Sequence, residues 1–278
     1  MIIDFHTHTF PDKIAAAAVS KLQLASHTAA FSDGTVSGLR ASMTRSGVDA
    51  SVVLPVATNP LKVSSMNDSS IRLNGTDGMI HFGCMHPDCE AWHEELGRIA
   101  QAGLKGIKIH PVYQGVDIDD PRFLRILQRA GELGLIVVMH AGDDIGFPGV
   151  VRCSPKMTLR AIRQVGSLPL VAAHMGGWRN WHEVGELLSD TSVYLDTAFS
   201  LGRITPTDDQ YTEEEQLLLS QEAFCDLVHL FGSERILFAT DSPWTDQLDS
   251  LNAIRALPLT DEEKQRILGE NAQKLLKL

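Results

Sequence analysis

Gly134-Leu135-Ile136-Val137-Val138-Met139-His140-Ala141-Gly142 carries the logic of the whole chain in one short stretch. It follows an amphipathic segment, 121–133, whose Phe123, Leu124, Leu127, Ala130 and Leu133 recur at helical spacing. Gly134 then supplies the residue that most readily ends a helix. Positions 136–139 are apolar without alternation, the pattern of a strand buried on both faces, as in a parallel sheet. That strand delivers one polar residue, His140, and the chain turns at Gly142. A polar group at the end of a buried strand is costly unless it is paired or bound.

The same unit recurs on both sides. Segment 106–109 leads to His110-Pro111, with Lys108 inside it. Segment 170–173 leads to His174-Met175-Gly176-Gly177, and 235–239 leads to Thr240-Asp241-Ser242-Pro243-Trp244. The first strand, 2–5, leads to His6-Thr7-His8. Further strands are expected at 51–55, 79–83 and 192–195, making eight in all. Helical patterns at 35–46, 91–102, 157–165 and 212–231 alternate with them, several ending at Gly47, Gly103 or Gly166. Strict alternation implies a parallel sheet, and eight repeats in this length favour a closed (β/α)₈ TIM barrel as one domain, 1–278. No Gly-x-Gly-x-x-Gly follows the first strand, which disfavours a dinucleotide fold. The irregular stretch 199–211 reads as a functional loop or lid. Segment 261–278 reads as a terminal helix with a capping box from Thr260 and Glu263.

Composition narrows the function classes. The 278 residues carry 35 acidic and 24 basic side chains, a net charge of -11. That balance argues against nucleic acid as the main partner and leaves a small-molecule substrate. No apolar run approaches a membrane span, and the first strand begins without a leader-like segment, so no membrane association and a cytoplasmic location are expected. The four cysteines lack a disulfide or zinc-ribbon spacing and read as free thiols. A homodimer is compatible with the sequence but not visible in it.

A barrel builds its site at the C-terminal ends of its strands, where His6, His8, Lys108, His110, His140, His174 and Asp241 all fall. Two residues apart on a strand, His6 and His8 point to one side and can grip a divalent ion. Asp4 has the same parity and is a candidate to support them. Taken singly, each has a plainer reading: a strand-end histidine is usually a hydrogen-bonded loop residue, and Asp241 is a natural helix cap. Convergence on one rim is what favours a metal.

Asp4-Phe5-His6-Thr7-His8, His140-Ala141-Gly142, His174-Met175-Gly176-Gly177 and Thr240-Asp241-Ser242-Pro243-Trp244 together resemble the amidohydrolase superfamily. More narrowly, they resemble the amidohydrolase-related branch that includes aminocarboxymuconate-semialdehyde decarboxylase. The likeness extends to Gly269-Glu270-Asn271 near the end of the chain. It implies a barrel of the metal-dependent hydrolase type, with one divalent metal held by His6, His8, His140 and Asp241. His174 is then a general acid/base, or a ligand as in two-metal members, where Lys108 would be the bridge. Zn²⁺ is the expected ion, with Mn²⁺ or Fe²⁺ as alternatives. The leading expectation is hydrolysis of an amide, ester or lactone, metal-activated water attacking a C–N or C–O bond and Asp241 taking the proton. Lys108, His110, Arg152 and Trp244 are candidate substrate contacts. The alternative is metal-dependent, non-oxidative decarboxylation of an aromatic or unsaturated carboxylic acid. A more distant one is a non-catalytic binding barrel, which would be expected to have lost ligands from the rim.

Overall fold

Short apolar strands with no polar face need neighbours on both sides, and that requirement organises the chain. The computed structural model describes residues 1–278. Its strands are β1 (Ile3–Thr7), β2 (Ala50–Val53), β3 (Met79–His81), β4 (Gly83–Cys84), β5 (Gly106–Ile109), β6 (Ile136–Met139), β7 (Leu170–Ala172), β8 (Tyr194–Asp196) and β9 (Ile236–Leu237). All eight expected strand regions are present, the third divided at Phe82 into β3 and β4. Helices lie between most of them, giving the strand–helix alternation of the α/β, (β/α)₈ barrel class. No helix is long and apolar enough to cross a membrane. The four cysteines are buried free thiols.

Two compact units are distinguishable. The first comprises 1–53, 145–148 and 196–278. Within it β1 and β2 pair in parallel, Ile3 opposite Ala50 and Asp4 opposite Ser51, with a register shift before Thr7 meets Val53. Such irregularities re-aim side chains at strand ends. The stretch after β9 runs along the other edge of β1. Phe5 N–H donates to the Phe238 carbonyl (2.8 Å), Asp241 N–H to the His6 carbonyl (2.8 Å), and His8 N–H to the Ser242 carbonyl (2.7 Å). The first and last strand regions are therefore neighbours, as a barrel sequence requires.

The second unit comprises 54–144 and 149–195. Its ladder is parallel throughout: Cys84 opposite Lys108, Ile109 opposite Met139, Met139 opposite Ala172, and Ala172 opposite Leu195. This register brings the C-terminal ends of β5, β6 and β7 level, so His110, His140 and His174 leave the sheet at the same end. Two glycines allow the close packing. A side chain at Gly106 would meet the Ile136 carbonyl and the Phe82 ring, and one at Gly142 would collide with the Trp178 backbone.

Three segments differ from the sequence expectation. Asp12–Ser26 is a helix that periodicity does not reveal, because only Ala15, Val19 and Ser26 are buried along it. The helix expected over 212–231 starts only at Gln221, where the Ser220 side chain accepts the Ala223 N–H. Residues 217–219 instead pair with 201 and 203. The stretch 199–211 is irregular, as expected, and is anchored: Ala29 N–H donates to the Thr205 carbonyl, Thr207 N–H to the His27 carbonyl, and the Tyr211 hydroxyl to the Ser26 carbonyl (2.6 Å). At the C-terminus the capping box of Thr260 and Glu263 forms, but a π-helical turn, Arg266–Glu270, interrupts the terminal helix.

Candidate metal centre

In the first unit, β1 fixes His6 and its bulged end fixes His8. The left-handed backbone of Asp241 (φ 67°) turns that carboxylate toward them. Few non-glycine residues adopt this conformation, which costs on the order of 1 kcal/mol and is characteristic of functional sites. His6 Nε2 lies 3.2 Å from His8 Nε2 and 3.4 Å from Asp241 Oδ1; His8 Nε2 lies 3.1 Å from the same oxygen. The two imidazoles are inclined at 73°, so their planes cross.

The protonation pattern follows from Asp196, whose Oδ2 is 2.8 Å from His6 Nδ1. A carboxylate can only accept, so His6 carries its proton on Nδ1 and directs the Nε2 lone pair toward His8 and Asp241. Three electron-rich atoms thus face one point. Donors about 2.1 Å from a shared ion are expected roughly 3.0–3.5 Å apart, as these are. The donor set therefore fits a divalent cation. Asp196, fully buried at the end of β8, was missed by sequence reasoning. Its signal was the one present at the other strands, an apolar run delivering a single polar residue.

Asp4 does not meet the imidazole rings. Its Oδ1 accepts the backbone N–H groups of His6 (3.2 Å) and Thr240 (3.0 Å), and its Oδ2 accepts from the Thr240 hydroxyl and Gln247 Nε2. It braces β1 against the Asp241 segment. Burial pushes its carboxyl up to about 6, against the opposing effect of those hydrogen bonds.

The second unit gathers His110, His140, His174 and Lys108, all buried, with one carboxylate, Asp144. His110 and His140 stack at 4.1 Å with 15° between their planes, and Tyr113 stacks on His110 at 3.9 Å. Asp144 Oδ2 is 3.4 Å from His110 Nε2 and 3.8 Å from His140 Nε2. His140 Nε2 faces the Asp143 carbonyl at 3.0 Å, and His140 Nδ1 faces His174 Nε2 at 3.0 Å. Burial holds His140 well below the usual imidazole range, reinforced by the nearby His110 and His174. His174, like Asp241, has a left-handed backbone (φ 59°), and its carbonyl accepts the Trp181 indole N–H.

Of the sequence-derived ligands, His6, His8 and Asp241 are thus brought together in one unit, and His140 stands beside His174 and His110 in the other. Arg152 donates to Asp117 at 2.9 Å and is partly exposed. The Trp244 backbone N–H donates to the Asp241 carbonyl, closing the turn that presents the carboxylate.

Comparison with known proteins agrees with this architecture. The chain is 26% identical over 223 residues to 2-amino-3-carboxymuconate-6-semialdehyde decarboxylase of Dictyostelium discoideum. The match covers 72% of this chain and 61% of that protein, so the chain spans about three fifths of the relative's length. An uncharacterized TIM-barrel protein from Bordetella bronchiseptica superposes with a TM-score of 0.73 at 15% identity, covering 99% of this chain and 98% of the other. 5-Carboxyvanillate decarboxylase from Novosphingobium aromaticivorans, complexed with manganese and 4-hydroxy-3-methoxy-5-nitrobenzoic acid, gives a TM-score of 0.68 at 17% identity, covering 100% and 96%. The fold is the TIM barrel. The amidohydrolase family model matches residues 3–278, and the chain belongs to that family.

Proposed function

We propose that this chain is a metal-dependent, non-oxidative decarboxylase of a small aromatic or unsaturated carboxylic acid. The observation that carries the reading is the convergence of His6 Nε2, His8 Nε2 and Asp241 Oδ1 at 3.1–3.4 Å, a preformed cation grip. The choice of reaction is supported by the likeness to decarboxylases, which favours the alternative over the hydrolysis expected first from the motifs.

His6, His8 and Asp241 would hold the ion, and the family likeness implies His140 as an expected fourth ligand. A bound divalent cation supplies positive charge that orients the substrate's oxygens and stabilises charge developing beside them. The manganese in the carboxyvanillate decarboxylase supports Mn²⁺ here, while the histidine-rich donor set also suits the Zn²⁺ expected from sequence. Lys108 and His110 supply cationic and hydrogen-bonding groups for an anionic substrate, and Trp244 belongs to the turn that carries Asp241. Arg152, already paired with Asp117, enters only as a peripheral charge.

The bond between ring or chain carbon and carboxylate breaks, CO₂ leaves, and its electron pair stays on carbon. A proton then replaces the carboxylate at that carbon, with His174 as the candidate donor. The experiment is turnover of dihydroxybenzoates and carboxyvanillate by Mn²⁺-loaded protein in ¹⁸O water. CO₂ release without ¹⁸O entering the organic product supports decarboxylation. Turnover of lactones or amides with ¹⁸O incorporation, and none of the acids, would restore hydrolysis.

A further inference from the structure

Beyond β8 the first unit carries an excursion with a firm base and an exposed tip. At the base, Ala198 N–H donates to Asp196 Oδ1 (3.2 Å), on the carboxylate that also meets His6, and the Ser200 hydroxyl donates to the Ala198 carbonyl (2.8 Å). Two arms then pair. Gly202 and Ile204 N–H donate to the Leu219 and Gln216 carbonyls, and Leu218 and Leu219 N–H donate to those of Gly202 and Ser200. Ile204, Leu218 and Leu219 are buried, whereas no residue from 205 to 216 is. The tip is latched to the end of the Asp12–Ser26 helix. Thr28 and Pro206 form an antiparallel pair, made by the bonds from Ala29 N–H to the Thr205 carbonyl (2.8 Å) and from Thr207 N–H to the His27 carbonyl (3.0 Å). Pro206 is tolerated because this pairing asks nothing of its missing N–H. His27 Nδ1 faces Asp208 Oδ2 at 2.7 Å, the side chains being 37% and 50% exposed, and the Tyr211 hydroxyl donates to the Ser26 carbonyl. The latch segment runs on to Phe31, whose N–H donates to the carbonyl of Pro243 (2.7 Å), two residues past Asp241.

We propose that residues 202–216 are a gate on the group of His6, His8 and Asp241, held shut by the latch at 26–29. The inference rests on the reading of that group as a cation site. The gate springs from the strand that ends in Asp196 and fastens to the segment bonded to the Asp241 turn, so its two attachments flank the group. The His8 and Asp241 side chains keep 15% and 13% exposure against 1% for His6, so an ion enters past those two. A tip with no buried apolar residue, held by solvent-exposed hydrogen bonds, belongs to the part of a fold that opens most easily. Gly202, in the left-handed region (φ 91°) with open space about it, offers a hinge on one arm. A gate that supplies no ligand changes how fast the site fills and empties, and changes both rates alike.

Thr28→Cys/Pro206→Cys locks the latch, since residues paired in this way stand about 4.5 Å apart at Cα, within disulfide reach. The four native cysteines are buried and do not compete. Asp208→Ala/Tyr211→Phe loosens the latch by removing the His27–Asp208 and Tyr211–Ser26 bonds. Both variants are followed with Mn²⁺ alone, loading and release being timed by electron paramagnetic resonance of the free ion. Hydrogen exchange at the Ala29 and Thr207 amides reports on the latch itself. Oxidation of the cysteine pair is expected to slow loading and release together by roughly ten-fold or more, and reduction to restore them. In the loosened variant the two amides should exchange, and Mn²⁺ load and leave, roughly ten-fold faster with affinity unchanged. Equal Mn²⁺ rates in the oxidised and reduced forms overturn the gate. Faster release alone, with weaker affinity, marks a merely structural role and overturns it too. If the cysteine pair fails to fold or to join, the loosened variant decides, and wild-type rates in it overturn the gate. Wild-type protein that takes up no Mn²⁺, or His6→Ala protein that takes up as much, sinks the cation reading and the gate with it.

Discussion

Two groups of histidines with an aspartate stand at strand ends, one in each unit, and they differ in the angle between their rings. His6 and His8 are inclined at 73° and converge on Asp241 Oδ1. His110 and His140 lie at 15°, stacked, with Asp144 beside them. Residue types are the same in both, so composition does not separate them. Ring planes do, because crossing planes focus lone pairs on a point and parallel planes do not. The first group has the geometry to grip a cation, as proposed; the second is a stacked array.

The largest test of this contrast is Asp241→Ala. It removes one corner of the convergent group, and catalysis should fall to background together with metal content, measured by assay and elemental analysis. His174→Ala should instead lower kcat by roughly 10²–10⁴-fold, the usual range for losing a general acid, with metal content unchanged. Equal metal loss in both variants would erase the distinction. Asp196→Asn should weaken metal binding by roughly 10–100-fold, since it disturbs the proton arrangement of His6 without replacing a ligand. Wild-type affinity in this variant would show that the 2.8 Å contact orients nothing.

An effect on stability alone, outside the metal group, depends on pH. Burial pushes the His81 imidazole down from 6.5 to about 4. The unfolded chain therefore takes up that proton first, and the stability from His81 is complete above pH 6.5 and lost as pH falls toward 4. Asp4 works in the opposite direction, its carboxyl being raised to about 6, so it protonates first in the folded chain. Replacing His81 with Phe should change the stability difference between variant and wild type by about 3 kcal/mol between pH 6.5 and 4. Denaturant unfolding at both pH values measures it. A difference independent of pH would contradict burial as the cause.

Several strands were legible because they are apolar runs closed by one polar residue, and Ile136–Met139 shows the pattern at its clearest. The helix Asp12–Ser26 was not, since most of its alanine-rich surface is unburied and leaves no apolar stripe to detect. The site was partly legible for the same reason. His6 lies in β1, His8 and His140 follow their strands directly, His174 comes two residues after β7 and Asp241 four after β9, and a strand end can be read from one dimension. The ring angles were not legible, because they depend on a register shift in β1 and on the packing of Tyr113 against His110. Asp196 needed only the rule already applied to its neighbours. Asp144 lies five residues beyond the end of β6 in a loop, and nothing in its local sequence distinguishes it from Asp143.

The most direct test of the convergent group is the metal content of wild type against the His6→Ala/His8→Ala double variant, both purified after growth with added manganese and zinc. Wild type should carry about one divalent ion per chain and the double variant almost none, since two of the converging donors are gone. Stoichiometric metal in the double variant would place the ion elsewhere and contradict the account.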